Sequence, residues 1–247
     1  MTTGLSGAAT FGPRPGLPEG DVKTADQRWG RPLSLIRSAV FAILILLMLP
    51  GVSPGAPPKK LGRVLVTFYW TLDETAPRYR GKASAVLEDV RGRVLAHTSK
   101  RFRRDLIMEG SGLLRDGRTI VYDRKVDGEN RFRLGRSQYG EGQLGCALIP
   151  YRTVAVDPHF VELGSTLSIP QLKGAHLPDG TIHDGIFVAD DRGHFRGSHI
   201  DIFVGSGLKG ARPFVRKGYG SRSHVKVYLV EDDTPDDCLR KRRSATH

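Results

Sequence analysis

The residues best equipped for chemistry lie in 186–204, Ile-Phe-Val-Ala-Asp-Asp-Arg-Gly-His-Phe-Arg-Gly-Ser-His-Ile-Asp-Ile-Phe-Val. Two apolar runs flank a polar, Gly-containing turn. Asp190 and Asp191 close the first run, and Asp201 lies inside the second. The pattern reads as strand, turn, strand. Alternation along the second strand puts Ile200, Ile202 and Val204 on one face, and His199, Asp201 and Phe203 on the other. If the first face packs into a core, Asp201 points into whatever groove the second face lines. A carboxyl held there, partly withdrawn from water beside aromatic rings, has a raised pKa and can act as a general acid. The competing reading is an ordinary surface carboxylate on a half-buried strand.

The elements around it are short and mostly extended. Val64 to Thr71 is a β-prone strand with faces Val64, Val66, Phe68, Trp70 and Leu65, Thr67, Tyr69, Thr71. Ala85-Val86-Leu87 and Val94-Leu95-Ala96 read as a hairpin turning near Arg91-Gly92. Asp116-Gly117 is a turn leading into Thr119–Tyr122, and Asp123 to Gly145 reads as a polar, Gly-rich loop or small insertion. Further strands are expected at Val154–Val156, Thr166–Ile169, Ile186–Asp190, His199–Val204 and Val225–Val230. Many short strands, frequent Gly/Pro turns and no long amphipathic helix argue for a small β-barrel.

The 247 residues suit one domain with tails. A formal charge of +12 suits a polyanionic partner: nucleic acid, anionic lipid or acidic wall polymer. The sequence offers neither a basic helix nor an aromatic stacking motif, so no nucleic-acid partner is expected. Residues 1–33 are expected to be disordered. Within 34–56, an apolar run of 11 residues from Ala39 to Leu49 follows Arg31 and Arg37. It is too short for an ordinary span of about 20 residues and suits a signal peptide or short signal anchor, so membrane anchoring through 39–49 is a possibility. Residues 57–63 continue a linker, 64–230 form the folded domain, and 231–247 a charged tail. Cys146 and Cys238 permit one disulfide, or remain as two thiols.

Ala155-Val156-Asp157-Pro158 with Val161-Glu162-Leu163-Gly164-Ser165 resembles the "AVDP…PLGT" element of the 3D domain, a family named for three aspartates. Ala189-Asp190, Gly193, Arg196-Gly197 and Ile200-Asp201-Ile202-Phe203 resemble its second element, and Asp190 precedes Asp201 by 11 positions. Val66-Thr67-Phe68-Tyr69 resembles its first strand, and Gly110-Ser111-Gly112 its small-residue turn. The sequence departs from the family at Arg192-Gly193, His194-Phe195 and Glu162. The family is shared with MltA-type lytic transglycosylases. The resemblance implies a six-stranded double-psi β-barrel with loop insertions. It implies Asp157, Asp190 and Asp201 as the family aspartates, with Asp201 the acid/base. Asp191 has no counterpart and is read as a solvated neighbour.

The implied reaction cleaves the β-1,4 bond between N-acetylmuramic acid and N-acetylglucosamine in peptidoglycan, giving a 1,6-anhydro sugar. No cofactor is needed. Tyr69, Gly193, Arg196 and Gly197 are the candidates for binding glycan, and the setting implied is the periplasm or cell envelope. Asp157 could instead cap local N–H groups before Pro158. Two other functions stay open: a non-catalytic wall-binding module on the same barrel, and a metal site from His159, His183, His194 and His199, for which no ligand spacing is recognisable. Oligomeric state is not legible.

Overall fold

The structure is a computed structural model that describes residues 57–230 together with Cys238. The expected N-terminal extension, the signal or anchor segment and the charged tail apart from Cys238 lie outside the described residues. No helix among the described residues is long and apolar enough to cross a membrane.

The fold is mainly β. Six strands close a barrel: β1 (Lys59–Asp73), β7 (Thr153–Val156), β8 (Thr166–Ser168), β9 (Ile186–Arg192), β10 (His199–Ser206) and β11 (Ser223–Val230). Around the barrel the order is β10-β7-β9-β8-β11-β1, and β1 pairs back with β10. Two of these pairings are parallel, β1 with β10 and β7 with β9. The period-2 pattern fixes which side faces inward. Val64, Val66, Ile200, Ile202, Val225 and Val227 fill the interior, each at most 1% exposed. Burying side chains of this size contributes about 1.5–3 kcal/mol each before entropy is counted.

Strand β1 outlasts the barrel. After a register shift between Tyr69 and Thr71 it still pairs Thr71 with Ser206 of β10, and from Leu72 it pairs with β4 (Ser111–Leu113). There it enters a second layer made of β4, β5 (Thr119–Val126), β6 (Glu129–Leu134), the hairpin β2 (Ala85–Glu88) with β3 (Val94–Thr98), and helix α1 (Lys100–Glu109). This layer has its own core, including Tyr79, Leu87, Phe102, Leu106, Ile120 and Phe132. Trp70 packs against both cores.

Two elements depart from the sequence expectation, and one alternative left open by it is decided. Helix α1 forms in an arginine-rich stretch, Arg101-Phe102-Arg103-Arg104, for which the sequence pattern predicts no element. Ser99 caps its start, accepting from the Phe102 N–H at 3.2 Å, and Gly110 ends it at φ +84°. Phe102, Asp105 and Leu106 form its buried stripe. Residues 123–134 are not loop but the paired ends of β5 and β6, turning through Asp127-Gly128 at positive φ. Cys146 and Cys238 are joined in a disulfide, with Cα atoms 5.9 Å apart.

Candidate active site

The site is one row of residues on the outer face of the barrel. On paired strands, Thr67 of β1 stands opposite Asp201 of β10, Asp201 opposite Ala155 of β7, and Ala155 opposite Asp191 of β9. Strands lie about 4.8 Å apart, so Asp191 and Asp201 are separated by about 10 Å of backbone, with only a methyl group between them. Tyr69 and Phe203, paired one step further along, wall this row with rings 5.1 Å apart.

Asp201 is held, not free. Thr67 Oγ1 donates to its Oδ1 at 2.8 Å. Thr67 Oγ1 also lies 2.8 Å from His199 Nε2. Because Thr67 spends its only proton on Asp201, His199 must donate through Nε2. Burial holds the His199 pKa below its ordinary value, which favours the neutral ring. Burial also pushes the Asp201 carboxyl up to about 6; the Thr67 bond opposes this shift and the charge of Asp191 adds to it. Asp201 is therefore close to half protonated in mildly acidic solution.

Asp191 is the partner across Ala155. Its Oδ2 accepts from Tyr69 Oη at 3.0 Å, and its Oδ1 from the Arg192 N–H at 2.8 Å. Burial raises its pKa despite these bonds. Burial and the neighbouring carboxylates hold Tyr69 protonated, as a hydrogen-bond donor. The reading of Asp191 as a solvated neighbour is corrected here. A bulge explains it: Val154 pairs with Ala189 but Ala155 pairs with Asp191, so Asp190 is the extra residue. Without the bulge, alternation would have set Asp190 in the outward row. Instead Asp190 is 1% exposed and packed beneath Gly142, where an added Cβ would meet its Oδ2 at 2.9 Å.

Residues 152–231 match the family model of the 3D domain. This stretch is a 3D domain. It carries β7 to β11, while β1, with Thr67 and Tyr69, completes the barrel from outside it. No curated protein matches the chain. Among solved structures, the chain is similar to Escherichia coli MltA with bound chitohexaose at 15% identity, over 68% of this chain and 71% of that one, with a TM-score of 0.48. It is also similar to a membrane-bound lytic murein transglycosylase from Agrobacterium tumefaciens (17% identity, 69% and 74% covered, TM-score 0.44). A third is the lytic transglycosylase LtgG of Burkholderia pseudomallei (18%, 68% and 71%, TM-score 0.36).

Within the 3D domain, Asp157 has a distinct task. Its Oδ1 accepts from the His159 N–H at 3.1 Å and its Oδ2 from the Gly197 N–H at 2.9 Å. These bonds hold its carboxyl below the usual range and tie the β9–β10 turn to the end of β7. Gly197 turns at φ +76°, and the Gly193 N–H donates to Val156 O at 2.9 Å. Arg196 stands exposed on this turn. Phe195 folds back over Gly193 and stacks on His199 with ring centroids 3.7 Å apart. The turn therefore reaches the Asp201 network through Phe195 and His199.

His183 is not near any of this. It is buried against Phe187 and Phe214, bonded to Tyr151 O and to the Gly185 N–H. No group of three or more His, Cys, Asp or Glu among the described residues is placed to hold a metal. Thr67 and Asp191 entered none of the site assignments made from sequence, and His199 entered only as a candidate metal ligand. Thr67 could have been found from the hydroxyl-bearing face of β1; Asp191 could not, because nothing in the sequence marks the bulge.

Proposed function

We propose that this protein is a peptidoglycan lytic transglycosylase in which Asp201 is the single general acid/base. The observation that carries this reading is Asp201 itself: an outward carboxyl pushed up to about 6 and fixed by Thr67 on a rigid strand. In the proposed reaction Asp201 gives its proton to the glycosidic oxygen as the C1–O4 bond breaks. The muramyl 6-hydroxyl then attacks C1, forming the 1,6-anhydro bond, and its proton returns to the Asp201 carboxylate. An internal nucleophile explains why one carboxyl suffices where hydrolases use two. Asp191 and Tyr69 would bind and orient the sugar across Ala155. Asp157 would act indirectly, by holding the turn that carries Gly193, Arg196 and Gly197.

The barrel is taken to be of the double-psi kind, with its two parallel pairs as the crossing points. The protein is taken to be exported to the periplasm or cell envelope, where its glycan strands lie, with anchoring through 39–49 left to experiment. The similar structure with chitohexaose bound is the reason to name a glycan as ligand.

A second reading is a wall-binding module without turnover. What favours it is Phe195, whose ring fills the space over Gly193 where the resembled family carries small residues. Mass spectrometry of purified peptidoglycan incubated with the full chain, beside Asp201→Asn, decides between them. Anhydromuropeptides from the wild type alone support the lytic reading. Reducing-end products mean hydrolysis, and co-sedimentation with intact wall and no soluble product means a binding module.

A further inference from the structure

His199 and Asp201 share one face of β10, two positions apart, and pair with Leu65 and Thr67 of β1. Thr67 Oγ1 stands between their side chains, 2.8 Å from His199 Nε2 and 2.8 Å from Asp201 Oδ1. The three groups form one hydrogen-bonded chain, which can run in two directions. With His199 as donor, the Thr67 hydrogen points at Oδ1. With His199 as acceptor, the Thr67 hydrogen points at Nε2, and Oδ1 must itself carry a proton to complete the other link. The imidazole is held in place on its open side. Phe195 stacks on it with ring centroids 3.7 Å apart and planes 29° apart. The backbone beneath is fixed as well: the His199 N–H donates to Gly197 O at 2.8 Å, and the Leu65 N–H to Ser198 O at 3.0 Å.

We propose that His199 is a positioning residue that, by donating through Nε2, keeps the acid proton of Asp201 on Oδ2 and off Oδ1. The proposal rests on the reading of Asp201 as the acid, and it assigns that acid one of its two oxygens. An ionised Asp201 can only accept, so the chain then runs from His199 through Thr67 to Oδ1. When the carboxyl gains its proton, the oxygen already holding the Thr67 hydrogen remains the carbonyl, and the proton enters at Oδ2. Placing it on Oδ1 would mean reversing both links and moving the imidazole proton from Nε2 to Nδ1. Burial favours the neutral ring, which has one such proton to place. In the proposed reaction the proton given to the glycosidic oxygen leaves from Oδ2, and the proton of the muramyl 6-hydroxyl returns there. Thr67 and His199 keep theirs throughout. Phe195 serves the same end by holding the imidazole against Thr67.

The test is infrared difference spectroscopy of the full chain on the acid side of the Asp201 titration. Subtracting Asp201→Asn from the wild type isolates the C=O stretch of the protonated Asp201, and a carbonyl that accepts a hydrogen bond absorbs at lower wavenumber. The expected result is a lowered band that moves up in Thr67→Val and in His199→Phe, the second of which keeps a ring for Phe195 and deletes the donor. His199→Gln keeps a donor, and its band should stay near the wild-type position. Two-bond proton–nitrogen NMR should find the His199 proton on Nε2. On soluble glycan strands, kcat should fall about tenfold in His199→Phe with KM little changed, and His199→Gln should restore most of it. A free-carbonyl band in the wild type, a band that ignores His199→Phe, or a His199 proton on Nδ1 overturns the proposal. So do equal losses of kcat in His199→Phe and His199→Gln. A wild type that releases no product sinks the lytic reading instead, and the two spectra still decide the role of His199.

Discussion

Thr67 and Asp201 sit directly opposite each other on parallel strands, and the hydroxyl of one donates to the carboxyl of the other at 2.8 Å. Parallel pairing keeps the two side chains on one face with no loop between them. The bond favours the ionised carboxylate, while burial favours the acid. The balance point near 6 is thus set by burial against the Thr67 bond, with the charge of Asp191 adding to burial.

Removing the hydroxyl should raise the Asp201 pKa. Thr67→Val keeps the shape of the side chain and deletes the donor. The acid form then persists to higher pH, so the alkaline limb of product release should move upward. Thr67→Ser should leave it near the wild-type position. A limb that moves downward in Thr67→Val would contradict the assignment of donor and acceptor.

Removing the carboxyl should separate activity from stability. Asp201→Asn should lower product release by at least about 100-fold, the usual contribution of a positioned acid. It should also make the protein more stable at pH 8. The folded-state pKa is raised from 3.8 to about 6, so the folded state prefers the acid. That preference stabilises the fold below the unfolded pKa and is lost as pH rises through the folded one. At pH 8 the ionised carboxylate therefore costs stability that Asn does not. The full shift corresponds to about 3 kcal/mol, and partial exposure reduces this to about 1–2 kcal/mol. Thermal unfolding at pH 8 and at pH 4 checks it: the gain should appear at the first and vanish at the second.

What could be read in the sequence follows from period-2 patterning. The two faces of β10 were legible because Ile200, Ile202 and Val204 alternate cleanly with His199, Asp201 and Phe203, and the first three fill the barrel as expected. The faces of β1 were legible for the same reason. The choice between Asp190 and Asp191 was not, because a bulge shifts the phase by one residue without a Gly or Pro to announce it. Helix α1 was hidden by its arginines: Arg101, Arg103 and Arg104 surround Phe102, and charge masked a stripe that needs only three buried positions. The hairpin of β5 and β6 was hidden by polar residues that pair through their backbones.

The bulge makes a direct prediction. Asp191→Asn should weaken glycan binding and lower the Asp201 pKa, since Asp191 is the charge that adds to it. Tyr69→Phe should weaken binding with a smaller effect on that pKa. Asp190→Asn should act mainly on stability, its carboxyl being packed under the Gly142 segment. Isothermal titration with chitohexaose and a pH profile of each variant distinguish them. Equal losses for Asp190 and Asp191 would remove the distinction drawn from the register.

The disulfide should matter to the same segment. Cys146 packs beside Val188 on β9, and the loop before it lies over Asp190. The bridge spans a sequence separation of 92, which in the chain-entropy model is a constraint on the unfolded state of about 4–5 kcal/mol. Cys146→Ser should lower the denaturation midpoint accordingly, and reduction of the wild type should reproduce the loss. The Gly142–Cys146 turn closes on itself through the Gly142 N–H to Cys146 O at 2.9 Å and meets the barrel through the Leu144 N–H to Asp190 O at 3.4 Å. Amide exchange over 140–146 should therefore quicken on reduction more than exchange in β10. Uniform quickening would mean that the bridge stabilises the whole fold and not this cover in particular.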